Sequence, residues 1–317
     1  MMDAMKLIND MLTYKESIGR KRETYKVHLH GLAEFLNKRN HHGEMLSIRD
    51  DILPWCERRA AESPSGLRRR MAAVREFTKY LYAMGLCDGI LPLDEIPAFP
   101  RFTPYIFTDD ELVSLFNASG QKAVNPKDLF ATEIISVIYQ LIYFCGLRPN
   151  EGRELLRSDF DSAGPTLFIR HNKAGRERII PIAWDMAEFL GKYLEKRDRA
   201  YPHSAYMFPA PDGNSHTAKW LDRHFISLWH IAYPGSSAKV RVYDLRHRFA
   251  TAVLTEWLDH GEDFFTALPY LSAYMGHNDF SSTAYYVHLL PERLLRSGAI
   301  DWERFESLLP EVAGYEQ

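Results

Sequence analysis

Between Leu67 and Leu81 apolar residues return every three or four positions, at Leu67, Met71, Val74, Phe77 and Leu81, with Thr78 on the same stripe. That spacing gathers side chains on one face of an α-helix, and it predicts a helix from Ser65 to Met84, stopped by Gly85. Three earlier stretches predict helices over Ala4 to Ile18, Lys21 to Arg39 and Ile48 to Ala61. The pattern then breaks. Ile90 to Thr108 carries Pro92, Pro97, Pro100 and Pro104, a density that no helix tolerates and that reads as an extended linker. Thr108-Asp109-Asp110-Glu111 restarts helical order as a capping box with acidic groups at the positive end of the new helix. The expected division is a helical domain over 1–89, a linker over 90–107, a second domain over 108–290 and a tail helix over 291–317.

In the second domain Leu129 to Phe144 reads as a long apolar helix that ends at Gly146. Two short β-like runs, Thr166 to Arg170 and Arg178 to Ile182, flank His171 to Glu177 and predict a hairpin. Helical patterns follow near Asp185 to Arg199, His216 to Tyr233 and Tyr243 to Asp259. The fold class expected is therefore mainly α, with a small β-hairpin in the second domain. The tail holds Leu294, Leu295, Ile300, Trp302, Phe305, Leu308 and Leu309, too apolar to stay in water.

Composition narrows the class. At 317 residues the length fits about two domains, and 46% hydrophobic with 26% charged residues describes an ordered globular chain. No apolar run nears the roughly 20 residues that span a bilayer, and the start Met-Met-Asp-Ala-Met-Lys has no signal-peptide pattern. A cytoplasmic protein without a membrane partner is expected. Cys56, Cys87 and Cys145 have no metal-ligand spacing and read as buried reduced thiols. The 13 histidines, His41-His42 among them, also lack a ligand spacing, so no metal is expected.

Net charge is −3, which argues against a uniformly basic nucleic-acid binder. The charge is uneven, however: residues 1–100 are net +2 and the last 27 are net −3. Arg68, Arg69 and Arg70 read by themselves as a solvated helix face. Beside a domain that handles phosphate they become candidate contacts to a DNA backbone.

Such chemistry is written along the second domain. Gly146-Leu147-Arg148-Pro149-Asn150-Glu151, Lys173 in the hairpin turn, Tyr243-Asp244-Leu245-Arg246, Gly276-His277 and Tyr286 follow one another in that order. Two guanidiniums on different elements suit a phosphodiester in transfer, because they bind its non-bridging oxygens with paired hydrogen bonds. Glu151, three residues past Arg148, orients it or forms a merely structural ion pair with it. His277 suits a contact to phosphate or a proton transfer. Tyr286 and Tyr285 are both candidate nucleophiles.

The set resembles the tyrosine recombinase (phage integrase) family in its simple two-domain form. That family carries Gly-Leu-Arg-x-x-Glu, a hairpin lysine, His-x-x-Arg, Gly-His and a final tyrosine in this sequence. The resemblance implies a site-specific recombinase that cuts double-stranded DNA through a 3′-phosphotyrosyl link without metal, cofactor or ATP. It further implies a homo-tetramer on DNA, with the tail docked on a neighbouring protomer. By the spacing of nine from His277, and the Tyr-x-His ending with His288, it selects Tyr286 as nucleophile and turns Tyr285 into the core. Lys173, in Lys-Ala-Gly-Arg-Glu-Arg-Ile-Ile-Pro, protonates the departing 5′-oxygen in this reading.

Two features depart from the family. Tyr243 stands where it has His or Lys and cannot carry positive charge, with His247 a candidate to compensate. Trp257 to Leu268 reads as an insertion. Two alternatives remain open at this level: a DNA-binding regulator with this fold but no strand transfer, and a type IB-like topoisomerase.

Overall fold

Two units divide the chain between Thr103 and Pro104. The computed structural model describes residues 3–20, 22–39, 45–95, 103–121, 130–170, 177–277, 281–290 and 300–301. The boundary falls inside the proline-rich stretch, whose ends belong to the units they adjoin: Leu91 is buried in the first core and Phe107 in the second.

The first unit contains α1 (Ala4–Ser17), α2 (Glu23–Lys38), α3 (Leu53–Cys56) and α4 (Pro64–Ala83). Asp3 caps α1 by accepting from the Met5 and Lys6 amides, and Ser63 caps α4 by accepting from Gly66, with Pro64 in the first turn. Ile8, Leu12, Leu29, Leu32, Val74 and Phe77 make the core these helices share. The single helix expected over Ile48 to Ala61 is instead a π-turn, Ile48–Ile52, followed by the four residues of α3. Pro54 is the reason, since it lacks the N–H a continuous helix would need there.

One predicted DNA contact is corrected by this unit. Arg70 is 2% exposed and its guanidinium is spent inside the fold. It binds both carboxylate oxygens of Glu62 at 2.7 Å and the carbonyls of Trp55 and Glu57, and lies over the Trp55 ring. Leu67 and Val74, three residues before and four after, are buried as well, so helical spacing turns position 70 inward. Arg69 is exposed and Arg68 half-buried.

In the second unit the Thr108 capping box forms as expected and opens α5 (Asp109–Asn117). It is followed by α6 (Ala131–Phe144), α7 (Pro149–Glu154), β1 (Phe160–Asp161), β2 (Thr166–Ile169) and β3 (Arg178–Pro181). Then come α8 (Trp184–Ala200), α9 (Ala218–Ala232), α10 (Val242–Asp259), α11 (Phe264–Met275) and α12 (Ser281–Ala284). The strands form an antiparallel sheet in the order β1-β2-β3, with Leu167 opposite Ile180. The apolar α6 packs between α8 and α10, with Ile138, Leu141 and Ile142 fully buried.

The stretch Trp257 to Leu268 is no appendage. It turns from α10 into α11, and Leu258, Phe264 and Leu268 join the same apolar cluster as Tyr286. Ile300 is buried in that cluster too, so the tail touches its own unit there. Residues 291–299 and 302–317, which hold most of the expected tail helix, lie outside the described residues. Cys56, Cys87 and Cys145 are buried thiols, as expected.

Candidate active site

Two glycine turns organise the centre of the second unit. Helix α6 ends at Gly146 (φ 56°) and α11 at Gly276 (φ 65°), both left-handed. Each turn closes the same way: Leu147 donates to Ile142 and Gly146 to Tyr143; His277 donates to Ser272 and Gly276 to Ala273. A side chain fits at neither glycine, because an added Cβ would sit 2.4 Å from the Phe249 ring at Gly146 and 2.9 Å from the Arg178 guanidinium at Gly276.

The turns hold the two arginines crosswise. Arg246 donates to the Gly146 carbonyl at 2.6 Å, in the loop that carries Arg148. Arg148 donates to the Gly276 carbonyl at 2.7 Å, in the loop that carries His277. Arg246 reaches the centre because α10 starts at Val242, with the Asp244 carboxylate accepting from the Arg241 amide at 2.8 Å. Tyr243, Arg246 and His247 then share a face at i, i+3 and i+4. Arg246 also donates to the Met275 carbonyl at 2.7 Å and is fully buried.

Glu151 sits beneath both arginines. Its carboxylate accepts from Arg148 Nη1 at 2.7 Å and from the Arg148 amide at 2.9 Å, and lies 3.9 Å from Arg246. Arg178 on β3 grips the same carboxylate with a fork of two bonds, 3.0 and 2.9 Å. Burial by itself would raise this carboxyl, but Arg178 and Arg148 overcome it and hold the group down at about 2. Glu151 is therefore an anion at neutral pH.

His277 has a definite proton arrangement. Its Nε2 lies 3.0 Å from Arg246 Nη2, and arginine only donates, so Nε2 accepts. The ring proton then sits on Nδ1, which faces Thr283 Oγ1 at 2.6 Å. Tyr286 stacks on this ring, 5.8 Å between centroids and 20° between planes. Burial pushes the Tyr286 phenol up to about 12, with Arg246, to which it is hydrogen-bonded, opposing the rise. The phenol keeps its proton near neutrality.

Of the predicted site residues, Arg148, Glu151, Arg246, His277 and Tyr286 come together. Tyr243 lies at the rim, 36% exposed, against the buried His247. His247 is held neutral at neutral pH, because burial, with Arg241 and Arg246, lowers it to about 4. Lys173 falls in 171–176, outside the described residues. One expectation is reversed: Tyr285 is the half-exposed ring at 37% and Tyr286 the buried one at 2%. Just after α12, both rings meet His247 on α10, but it is Tyr286 that stacks on the His277 ring.

Two site residues were not singled out from the sequence. Arg178 had a readable signal: in a strand of period two it shares a face with the buried Ile180, so a charge there needed a buried partner. Thr283, fully buried against His277, had none beyond its place two turns after the Gly-His pair.

A family model described as the phage integrase family matches residues 106–293, which contain all of these groups. The chain belongs to the phage integrase family. It is a tyrosine recombinase. Tyrosine recombinase XerD of Rhizobium meliloti is 25% identical over 86% of each chain. The Sinorhizobium fredii protein y4rE, named as an integrase/recombinase, is 30% identical over 69% of this chain and 71% of its own. In fold, this tyrosine recombinase is similar to the Tn1549 transposon integrase solved in complex with transposon right end DNA. The TM-score is 0.66 at 15% identity, over 96% of this chain and 99% of that one.

Proposed function

We propose that this tyrosine recombinase cuts and rejoins double-stranded DNA at specific sites, with Tyr286 as nucleophile. Arg148 and Arg246 bind the non-bridging oxygens of the scissile phosphate. The Tyr286 oxygen attacks phosphorus while the bond to the 5′-oxygen breaks, leaving a 3′-phosphotyrosyl ester and a 5′-hydroxyl. His277 Nε2, which accepts from Arg246 in the unbound protein, takes the phenol proton as Arg246 turns its donor to the phosphate; Lys173 gives a proton to the leaving 5′-oxygen. The ester conserves the bond, so the strand is resealed by the reverse step without ATP, and the arginines supply the charge stabilisation.

The observation that carries the reading is the convergence of two arginines on a single buried carboxylate, with one histidine and one tyrosine both hydrogen-bonded to the second of them. The apolar tail and the DNA-bound forms in which relatives of this fold have been solved support assembly as a tetramer on DNA. Likeness to a transposon integrase supports a mobile element as the setting.

The test is capture on nicked duplexes tiling the DNA that flanks the gene, where the cut strand diffuses away and traps the covalent form. Tyr286→Phe is expected to abolish the protein–DNA adduct and leave Kd within about threefold, and Tyr285→Phe to keep it. An adduct that survives Tyr286→Phe and vanishes with Tyr285→Phe would move the nucleophile by one residue. No adduct with the native protein on any duplex would defeat the reading.

A further inference from the structure

Arg178 is largely enclosed at the centre of the site, its side chain 11% exposed, yet it is none of the groups assigned to the phosphate. We infer that Arg178 is a positioning residue for strand cleavage: with one guanidinium it fixes Glu151, and through it Arg148, and it forms the floor on which the Gly276-His277 turn rests. The inference rests on the recombinase reading above.

Three observations meet in this side chain. Its fork engages both Glu151 oxygens, at 3.0 and 2.9 Å, and so fixes the plane of the carboxylate whose Oε1 receives Arg148 Nη1 and whose Oε2 receives the Arg148 amide. Its Nε donates to the Tyr274 carbonyl at 2.8 Å, in the last turn of α11. Its guanidinium also lies so close under Gly276 that a methyl group there would be 2.9 Å from Nη1 and 3.1 Å from Cζ. The Gly276 carbonyl holds Arg148 and the next residue is His277. One side chain therefore sets the places of a phosphate-binding arginine and of the proton acceptor.

Charge points the same way. Glu151 is faced by Arg148, Arg178 and Arg246. With Arg178 present, the carboxylate is neutralised by a cation that does not face the phosphate, and Arg148 and Arg246 keep their surplus for the substrate. Without Arg178, Glu151 draws on those two instead. Burial then also pushes its carboxyl upward, since the strongest opposing partner is gone. Lysine keeps the charge but loses the fork.

The experiment measures adduct formation and Kd on the nicked duplexes for Arg178→Gln, Arg178→Lys, Glu151→Gln and the Arg178→Gln/Glu151→Gln double variant, with Tyr286→Phe as control. Arg178→Gln is expected to slow adduct formation at least about 100-fold with Kd within about threefold. Arg178→Lys should regain about tenfold, and the double variant should be no slower than the slower single variant. The acid limb of the Arg178→Gln rate profile should move up by more than one pH unit. Native rates in Arg178→Gln, or effects that multiply in the double variant, would overturn the inference. If Arg178→Gln does not fold, Arg178→Lys decides: a folded protein that is slowed supports the positioning role, and one at native rate refutes it. Adduct persisting in Tyr286→Phe sinks the parent reading, whereas a native-rate Arg178→Gln beside an inactive Tyr286→Phe sinks this inference alone.

Discussion

Arg70 in the first unit and Arg246 in the second are both buried guanidiniums on long helices, 2% and 0% exposed, and they serve opposite ends. Arg70 is saturated: two bonds to Glu62, others to backbone carbonyls, and the Trp55 face beneath. Its charge is cancelled where it stands. Arg246 is held by neutral acceptors, the Gly146 and Met275 carbonyls and His277 Nε2. Among the described residues its Nε has no hydrogen-bond partner, and the shared Glu151 lies 3.9 Å away. Burial lowers its proton affinity, with Arg148 adding to the effect and Tyr286 opposing it. A buried cation left short of counter-charge is costly, and it gains most when an anion arrives. Burial of an arginine therefore says little until its counter-charge is counted.

The sharpest way to break the comparison is to replace both residues. Arg246→Lys should slow adduct formation by about 100- to 1,000-fold, roughly 3 to 4 kcal/mol, the cost of one preorganised donor at a developing oxyanion. Arg70→Met should leave the adduct rate of the folded protein within about threefold, but cost about 3 kcal/mol of stability by stranding Glu62 and the carbonyls. Urea unfolding and suicide-duplex kinetics separate the two. A folded Arg70→Met protein that has lost cleavage would put Arg70 in the functional machinery.

That contrast also marks how far the chain could be read without coordinates. Helix periodicity, the Thr108 capping box and the ordered Arg148, Arg246, His277 and Tyr286 motifs were legible, because each is a local pattern or a fixed spacing. Arg70 was half legible: its distance from Leu67 and Val74 placed it on the apolar face, while its charge argued for water. A buried partner resolves that conflict, and Glu62 is eight residues away on the preceding turn. Arg178 is the same case on a strand. The order of burial at Tyr285 and Tyr286 was not legible, since it depends on how the turn after α12 packs against His247 and His277, a tertiary packing with no sequence period. The change from π-turn to α3 beside Pro54 had a local cause that the apolar pattern around it masked.

A second test sharpens the comparison through pH. Glu151 is held at about 2 against an ordinary 4.5, so its folded-state pKa is depressed. The resulting stability is present in full above about pH 4.5 and is lost as pH falls towards 2. The difference amounts to roughly 3 kcal/mol across that window. Urea unfolding followed by Tyr and Trp fluorescence of the second unit should show the loss, and Glu151→Gln should flatten it. An equal acid loss in Glu151→Gln would mean that other carboxylates govern the acid limb.

The smallest expected effect falls on the neighbours of Arg70. Arg69 is exposed and donates to the Ser65 carbonyl of its own helix at 3.3 Å, and Arg68 is half-buried. An arginine that meets a DNA phosphate releases about one counterion, so Arg69→Ala should reduce the slope of log affinity against log salt by about 1. Arg68→Ala should do the same, with Kd weakened only a few-fold near 0.15 M salt. Arg70→Met should leave the slope unchanged, because its guanidinium faces Glu62 and Trp55 rather than a partner. Fluorescence anisotropy across a salt series distinguishes these outcomes. An unchanged slope in both alanine variants would return Arg68 and Arg69 to a solvated helix face. A reduced slope in folded Arg70→Met would mean that burial in the unbound protein does not persist on DNA, and that Glu62 gives up its arginine when phosphate arrives.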